Sequence, residues 1–165
     1  MKSRYFLLAM MALLSVRAAA QATDKKEAAI RDMVDSKNYI FQAQTALPMH
    51  GGVRHLTTDF DLKVTPTAII SDLPYFGRAY VAPVNPAESP LQFTSTQFTY
   101  TTTPRKKGGW DVVIKPSDHK DVRQLLLTIS SAGYTTVQVI NQNSDPISFN
   151  GVIVAPKASG RERTH

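Results

Sequence analysis

The strongest constraint on the fold is a period-two alternation of apolar and polar residues, which runs from residue 38 nearly to the end of the chain. Its clearest example is the pair FTYTTT at 98–103 and WDVVI at 110–114, joined by the turn-forming stretch 104–109. Successive side chains of a strand point to opposite faces, so this pattern predicts half-buried strands joined by hairpins.

The same alternation recurs along most of the chain, interrupted by proline, glycine and asparagine. Further strands are predicted at 39–47, 59–64, 67–71 (resuming, after a bend, at 79–82), 92–94, 123–130, 134–141 and 147–154. Eight or nine short strands in sequential hairpins predict a mainly β fold, an antiparallel up-and-down meander that closes into a barrel or a closed sandwich. Closure removes the exposed sheet edges that otherwise promote aggregation.

One α-helix is predicted before the strands, at Thr23–Ser36. Asp24 and Glu27 have the spacing of a capping box, in which each side chain satisfies an unpaired amide of the first turn. Three apolar side chains then recur at helical spacing: Ile30, Met33 and Val34. This single narrow stripe predicts a helix that packs one face against the β body.

Residues 1–22 have the pattern of a secretory signal peptide. Lys2 and Arg4 precede the apolar run 6–16, and small residues lead to a cleavage pattern that ends at Ala22, with Ala20 as the alternative. The run is too short to span a bilayer. We therefore predict an exported chain, periplasmic or secreted, with three parts: a signal peptide at 1–22, one domain at 23–155 and a disordered tail at 156–165.

The amino-acid composition argues against several classes of function. The chain has no cysteine, which excludes disulfides, a cysteine nucleophile and a lipid anchor attached through cysteine. Removing residues 1–22 takes away three basic residues and no acid, so the formal charge falls from +6 to +3. The remaining basic residues are scattered apart from 105–107, which argues against a nucleic-acid partner.

The stretch LPYFGRAY at 73–80 is the densest in aromatic and backbone-special residues. Its Pro74 and Gly77 predict a bend at the rim of the β body. Apolar walls with a few placed polar groups are typical of ligand sites. The predicted ligand-binding residues are Tyr75, Phe76, Arg78, Tyr80, Tyr100 and Trp110. The alternative is that these aromatics fill a β core, since an eight-stranded barrel has room for its own side chains or for one small ligand.

The sequence predicts no catalytic residue and no cofactor. No G-x-S-x-G nucleophile motif occurs. His50 and His55 could share a metal with Asp59 or Asp61, but the spacing matches no established ligand pattern. Surface histidines and a solvated acidic strand face are the simpler interpretation, and we predict no metal site.

Several ordered motifs resemble one known family of exported domains of unknown function, found mainly in Bacteroidetes. They are SKNYIFQAQTALP at 36–48, FDLKVTP at 60–66, LPYFGRAY at 73–80, KKGGWDVVIKP at 106–116, DVRQLLLTIS at 121–130, GYTTVQV at 133–139 and PISFNG at 146–151. The resemblance spans about residues 24 to 154 and implies one leading helix and a lipocalin-like barrel. The family's lipoprotein leader is absent, because no cysteine is available for acylation. The resemblance implies no catalytic residue and no cofactor.

These observations lead to one functional hypothesis with two alternatives. We predict an exported, non-enzymatic domain that binds a small apolar ligand or a partner in the cell envelope. A purely structural or interaction module of the periplasm, with a filled core, is the alternative. A hydrolase with an unrecognised site ranks third.

Overall fold

The computed structural model describes residues 24–78 and 89–156. Within these ranges the chain forms one helix, α1, at residues 24–35, and nine strands. The strands are β1 Tyr39–Pro48, β2 Arg54–Val64, β3 Ile69–Asp72, β4 Gln92–Ser95, β5 Phe98–Pro104, β6 Trp110–Pro116, β7 Val122–Ile129, β8 Tyr134–Asn141 and β9 Ile147–Val154. The strand predicted at 79–82 lies outside the described residues, as do the predicted signal peptide and nearly all of the predicted tail.

All nine strands belong to one sheet, in the order β4-β3-β2-β1-β9-β8-β7-β6-β5, and every neighbouring pair is antiparallel. The first and last strands pair along most of their length, from Ile40 opposite Val154 to Pro48 opposite Ile147. Pairing of β1 with β9 curls the meander into a nearly closed barrel. The predicted mainly β antiparallel fold with one N-terminal helix is therefore confirmed.

The break in the barrel lies between β4 and β5, which form the two edges of the sheet. Eight antiparallel pairings separate them around the sheet, so the two strands run in the same direction. Only Thr96 and Gln97 stand between them in the chain. They therefore act as one interrupted strand, whose first part pairs with β3 and whose second part pairs with β6.

The Asp118 carboxylate, in the β6–β7 loop, stabilises the backbone at this interruption between β4 and β5. It accepts hydrogen bonds from the Ser95 hydroxyl and from the backbone amides of Thr96, at 2.8 Å, and Gln97, at 3.1 Å. These bonds favour the charged form of the carboxyl group and lower its pKa to about 2. Asp118 thus satisfies backbone amides that the break removes from strand pairing.

Helix α1 packs at one end of the barrel through the predicted stripe. Ile30 and Val34 are buried, and Met33 is half-buried against the same core. Complete burial of such a side chain contributes about 1.5–3 kcal/mol, so this face is the main attachment of the helix. The amides of Lys37 and Asn38 bond the last-turn carbonyls of Val34 and Met33, and Lys37 adopts the left-handed conformation common after helices.

The barrel has two different ends, the helix end and the loop end. The helix end carries α1, the start of β1 at Tyr39 and the end of β9 at Val154. The loop end carries the β1–β2 loop, between Pro48 and Arg54, and the β8–β9 turn, between Asn141 and Ile147. No helix among residues 24–78 and 89–156 is long and apolar enough to cross a membrane.

Candidate ligand-binding site

A single segment, Leu73–Arg78, leaves the barrel wall after β3 and runs along the loop end. We call it the rim segment. It begins at the completely buried Leu73 and reaches the β8–β9 turn, although β3 and β8 are separated by three strands in the sheet. The rim segment therefore connects parts of the barrel that strand pairing leaves apart, and the bend expected from Pro74 and Gly77 is found at Gly77.

Asp145, in the β8–β9 turn, anchors the rim segment. The Tyr75 hydroxyl bonds the carbonyl oxygens of Asp145 and Arg78, each at 3.1 Å. The Arg78 amide donates to the Asp145 carboxylate at 3.2 Å, and the Asp145 amide donates to the Arg78 carbonyl at 3.1 Å. Asp145 is itself buried, and the Asn141 amide group holds its carbonyl.

Gly77 allows the rim segment to fold back on itself. A Cβ atom at this position would collide with the hydroxyl and ring of Tyr75. The Tyr75 ring therefore occupies the space over the glycine, and burial raises the pKa of its hydroxyl above the ordinary value. This close approach explains why a glycine follows two aromatic residues here.

The β1–β2 loop supplies the second part of the site. Met49 is 57% exposed and Val53 is 60% exposed, so two large apolar side chains face solvent in one short loop. Next to Val53, the Arg54 guanidinium lies over the Phe76 ring with its central carbon 4.8 Å from the ring centroid. This cation–π contact joins the loop to the rim segment.

The wall of the barrel becomes more accessible toward this loop. On the inward face of β2, Val64 and Leu62 are fully buried, while Phe60 is only half-buried. The pairing of β1 with β2 then skips from Ala43–Phe60 to Thr45–His55, a bulge that detaches several residues of β2. Phe60 and the half-buried Leu56 thus lie where the interior meets the loop end.

The structure brings together only part of the predicted ligand set. Tyr75, Phe76 and Arg78 share the rim segment, while Tyr80 lies outside the described residues. Trp110 pairs with Ile129 near the start of β8, and Asp145 follows the end of that strand. At about 3.4 Å per residue, the length of β8 separates Trp110 from the rim segment by roughly 20 Å.

Tyr100 belongs to the helix end. Its hydroxyl donates to the Val34 carbonyl at 3.0 Å and lies 3.3 Å from the Tyr39 hydroxyl, and the Lys37 ammonium stands over its ring. Burial raises the pKa of Tyr39 well above its ordinary value and also raises that of Tyr100. Both phenols are therefore neutral hydrogen-bonding groups at physiological pH, and here they hold the helix.

Sequence reasoning did not single out Met49, Val53, Arg54, Phe60 or Asp145 as functional. The only local signal was the placement of Met49 and Val53 on either side of two glycines, since large apolar residues are uncommon in an exposed turn. Nothing local pointed to Asp145, which lies 70 residues from its partner Tyr75.

The histidines and aspartates considered as metal ligands do not form a cluster. No group of three or more potential metal ligands occurs within residues 24–78 and 89–156. His50 and His55 are exposed, and Asp61 pairs with Lys63 at 3.6 Å. Near Ser95 and Asp118, the His119 ring lies against Phe93, and its Nδ1 atom accepts the Val122 amide, so this nitrogen is engaged in the loop.

Comparisons with known proteins agree with the fold. Residues 21–153 match a family described as "Domain of unknown function (DUF4251)". A crystal structure of a DUF4251 family protein from Bacteroides eggerthii is similar to the chain, with a TM-score of 0.55 and 12% sequence identity. The similarity covers 81% of this chain and 88% of that one, and at such low identity it establishes the fold alone. No curated protein matches the sequence.

Proposed function

The chain belongs to the DUF4251 family of domains of unknown function, and we propose that it is an exported, non-enzymatic domain that binds a small apolar ligand at the loop end of its barrel. The observation that carries this proposal is the exposure of Met49 and Val53 in the β1–β2 loop, which the contact of Arg54 with Phe76 joins to the rim segment. Adjacent exposed apolar side chains commonly mark binding surfaces.

The loop end has the composition that binding sites require. Half-buried Leu56, Phe60, Tyr75 and Phe76 offer apolar surface, and the rim segment adds polar backbone and hydroxyl groups. Tyr39, Phe41 and Phe149 are fully buried inside the barrel. Because these large side chains take up interior space, we place the ligand at the loop end.

Binding by the wild-type protein can be tested with the neutral dye Nile red and by native mass spectrometry of protein purified from its own host. We expect dye fluorescence that saturates with protein, and a bound small molecule in the mass spectrum. Val53→Ser should weaken dye binding severalfold, because it removes exposed apolar surface at the site. Ile70→Ser is the matched control, since Ile70 is an exposed apolar residue on β3. Absence of saturable dye binding, or equal loss in both variants, would contradict the proposal.

An envelope partner is the competing occupant of the same surface, because exposed apolar side chains also suit a protein interface. Crosslinking in the native host from position 53 separates the two cases. A discrete protein adduct that Tyr75→Ala abolishes would favour the partner. A ligand that co-purifies without such an adduct supports the small-molecule function.

Export is part of the proposal and is supported by the signal-like composition of residues 1–22. N-terminal sequencing of the protein recovered from the periplasm or medium should begin at Thr23, or at Gln21 if cleavage follows Ala20. Recovery of the chain only in the cytoplasm, still beginning at Met1, would reject export. Nothing in the description of the family indicates an enzymatic activity.

A further inference from the structure

Two arginines lie in the segments that form the loop-end site. Residues 49–58 include Arg54, and the rim segment ends with Arg78, while the nearest acids in the chain, Asp59 and Asp72, lie just outside these segments. Arg54 and Arg78 are both exposed. The apolar surface of the site is therefore bordered by cationic side chains.

Arg54 is held where a ligand head group can reach it. Its guanidinium carbon lies 4.8 Å from the centroid of the Phe76 ring, and this contact occupies the face of the group while its N–H donors lie at the edge. Within residues 24–78 and 89–156, the ion pairs are Arg31–Glu27, Lys63–Asp61 and Arg105–Asp111, so Arg54 takes part in none of them. The guanidinium edge thus keeps its capacity to bind a carboxylate or phosphate in a forked arrangement.

The acidic groups next to the rim segment already have donors. The Asp145 carboxylate accepts a hydrogen bond from the Arg78 amide, and the Asp72 carboxylate accepts one from the Gln92 side chain. On β2, Asp61 pairs with Lys63, and Asp59 is exposed on the outward face of the strand, opposite to the face of Phe60. The carboxylates near the site are thus engaged or face outward, and Arg54 is in an ion pair with none of them, so its charge is available to attract an anion.

We propose that the ligand is an amphiphilic anion, a carboxylate or phosphate head on an apolar chain. Arg54 binds the head, and the apolar surface around Val53, Phe60 and Phe76 binds the chain. This inference rests on the proposed function and adds the chemical class of the ligand. Its physical basis is that one cation is fixed directly against apolar surface at a barrel end.

The test compares ligands that share a twelve-carbon chain and differ in the head group: dodecanoate, dodecyl phosphate, 1-dodecanol and dodecyltrimethylammonium. Each is titrated, below its micelle concentration, as a competitor of Nile red bound to the mature protein. We expect at least one anion to bind about tenfold more tightly than 1-dodecanol, and the cation to bind most weakly. The stronger of the two anions identifies the head as carboxylate or phosphate.

Arg54→Gln should remove the preference for the anion, lowering its affinity about tenfold, while the affinity for 1-dodecanol stays unchanged. Arg31→Gln, which removes an exposed arginine on α1 at the helix end, is the control and should retain the preference. A thermal unfolding curve confirms that each variant is folded. If Arg54→Gln does not fold, the wild-type protein still supplies a test, because the affinities of the anionic and cationic twelve-carbon ligands can be compared on it directly.

The outcomes separate this inference from the proposed function. Equal binding of all four head groups, or tightest binding of the cation, overturns the assignment of an anionic head and leaves apolar binding intact. Failure of Nile red and of every twelve-carbon ligand to bind overturns the proposed function itself. Loss of the anion preference in both arginine variants shows a general charge effect and also overturns the role of Arg54.

Discussion

The hydroxyl of Tyr100 on β5 donates a 3.0 Å hydrogen bond to the backbone carbonyl of Val34 in the last turn of α1. The Tyr39 hydroxyl, at the start of β1, lies 3.3 Å from the same phenol. Carbonyls of the last helical turn have no partner inside the helix, so a side chain from the barrel satisfies one of them. The helix is therefore attached by a specific polar contact as well as by its buried face.

Tyr100→Phe should destabilise the protein by about 1 kcal/mol, because the Val34 carbonyl loses the phenol and keeps only the longer bond from the Lys37 amide. The loss should be concentrated in α1, where amide hydrogen exchange is expected to accelerate more than in β7 and β8. Urea unfolding and exchange measured by mass spectrometry check both statements. Tyr134→Phe is the control, since Tyr134 is 66% exposed. Equal effects of the two variants would show that the Tyr100 bond does not hold the helix.

Asp118 should make stability depend on acidity in a defined range. Its pKa is lowered to about 2 in the folded protein by hydrogen bonds from Ser95, Thr96 and Gln97, against an ordinary value of 3.8. Protonation is therefore harder in the folded state, so the contribution of this group is complete above about pH 4 and is lost as the pH falls toward 2.

Asp118→Asn should flatten this part of the pH profile, which urea unfolding between pH 2 and pH 5 can measure. Asp121→Asn, an exposed acid in the same loop, is the matched control and should leave the profile unchanged. An identical acid dependence in the wild type and in Asp118→Asn would refute the assigned role.

Gly151 should be intolerant of any side chain. A Cβ atom there would collide with the Gln42 carbonyl and touch the Phe41 ring, at the point where β9 pairs with the bulged part of β1. Gly151→Ala is expected to cost about 1–3 kcal/mol, as overpacking in a filled site does. Gly52→Ala is the control, because no atom lies within 4 Å of its added Cβ. Chemical denaturation measures the free energy of unfolding of both variants. Equal values would contradict the predicted clash at Gly151.

Tyr75→Phe should loosen the rim segment without unfolding the barrel. The variant keeps the ring over Gly77 and loses the bonds to the Arg78 and Asp145 carbonyls. A loss of about 1 kcal/mol corresponds to roughly fivefold faster local exchange. The amides to follow by NMR are those of Arg78 and Asp145, each of which bonds the other residue. Unchanged exchange at both amides would show that the rim segment is held by other contacts.

Local sequence patterns predicted the elements well and the site only in part. The pairing of FTYTTT with WDVVI was predictable because alternation and the intervening turn are local properties. The helix stripe was predictable for the same reason. Tyr75, Tyr100 and Trp110 were assigned to one binding site because all three are aromatic. Residue type does not indicate at which end of the barrel a residue lies. Local sequence patterns therefore could not predict which of these residues share a site.

The sequence by itself determined the helix and most of the strands and hairpins, because side-chain periodicity depends only on neighbours in the chain. It did not indicate that β2 begins at Arg54, five residues before the predicted start at 59. Tertiary structure alone decided that β1 pairs with β9, that the barrel breaks at Thr96–Gln97, and that Arg54 lies on Phe76. It also decided that Tyr75 meets Asp145, 70 residues away. These contacts depend on the closure of the sheet, which sets the register around the whole barrel and has no counterpart in any short stretch of sequence.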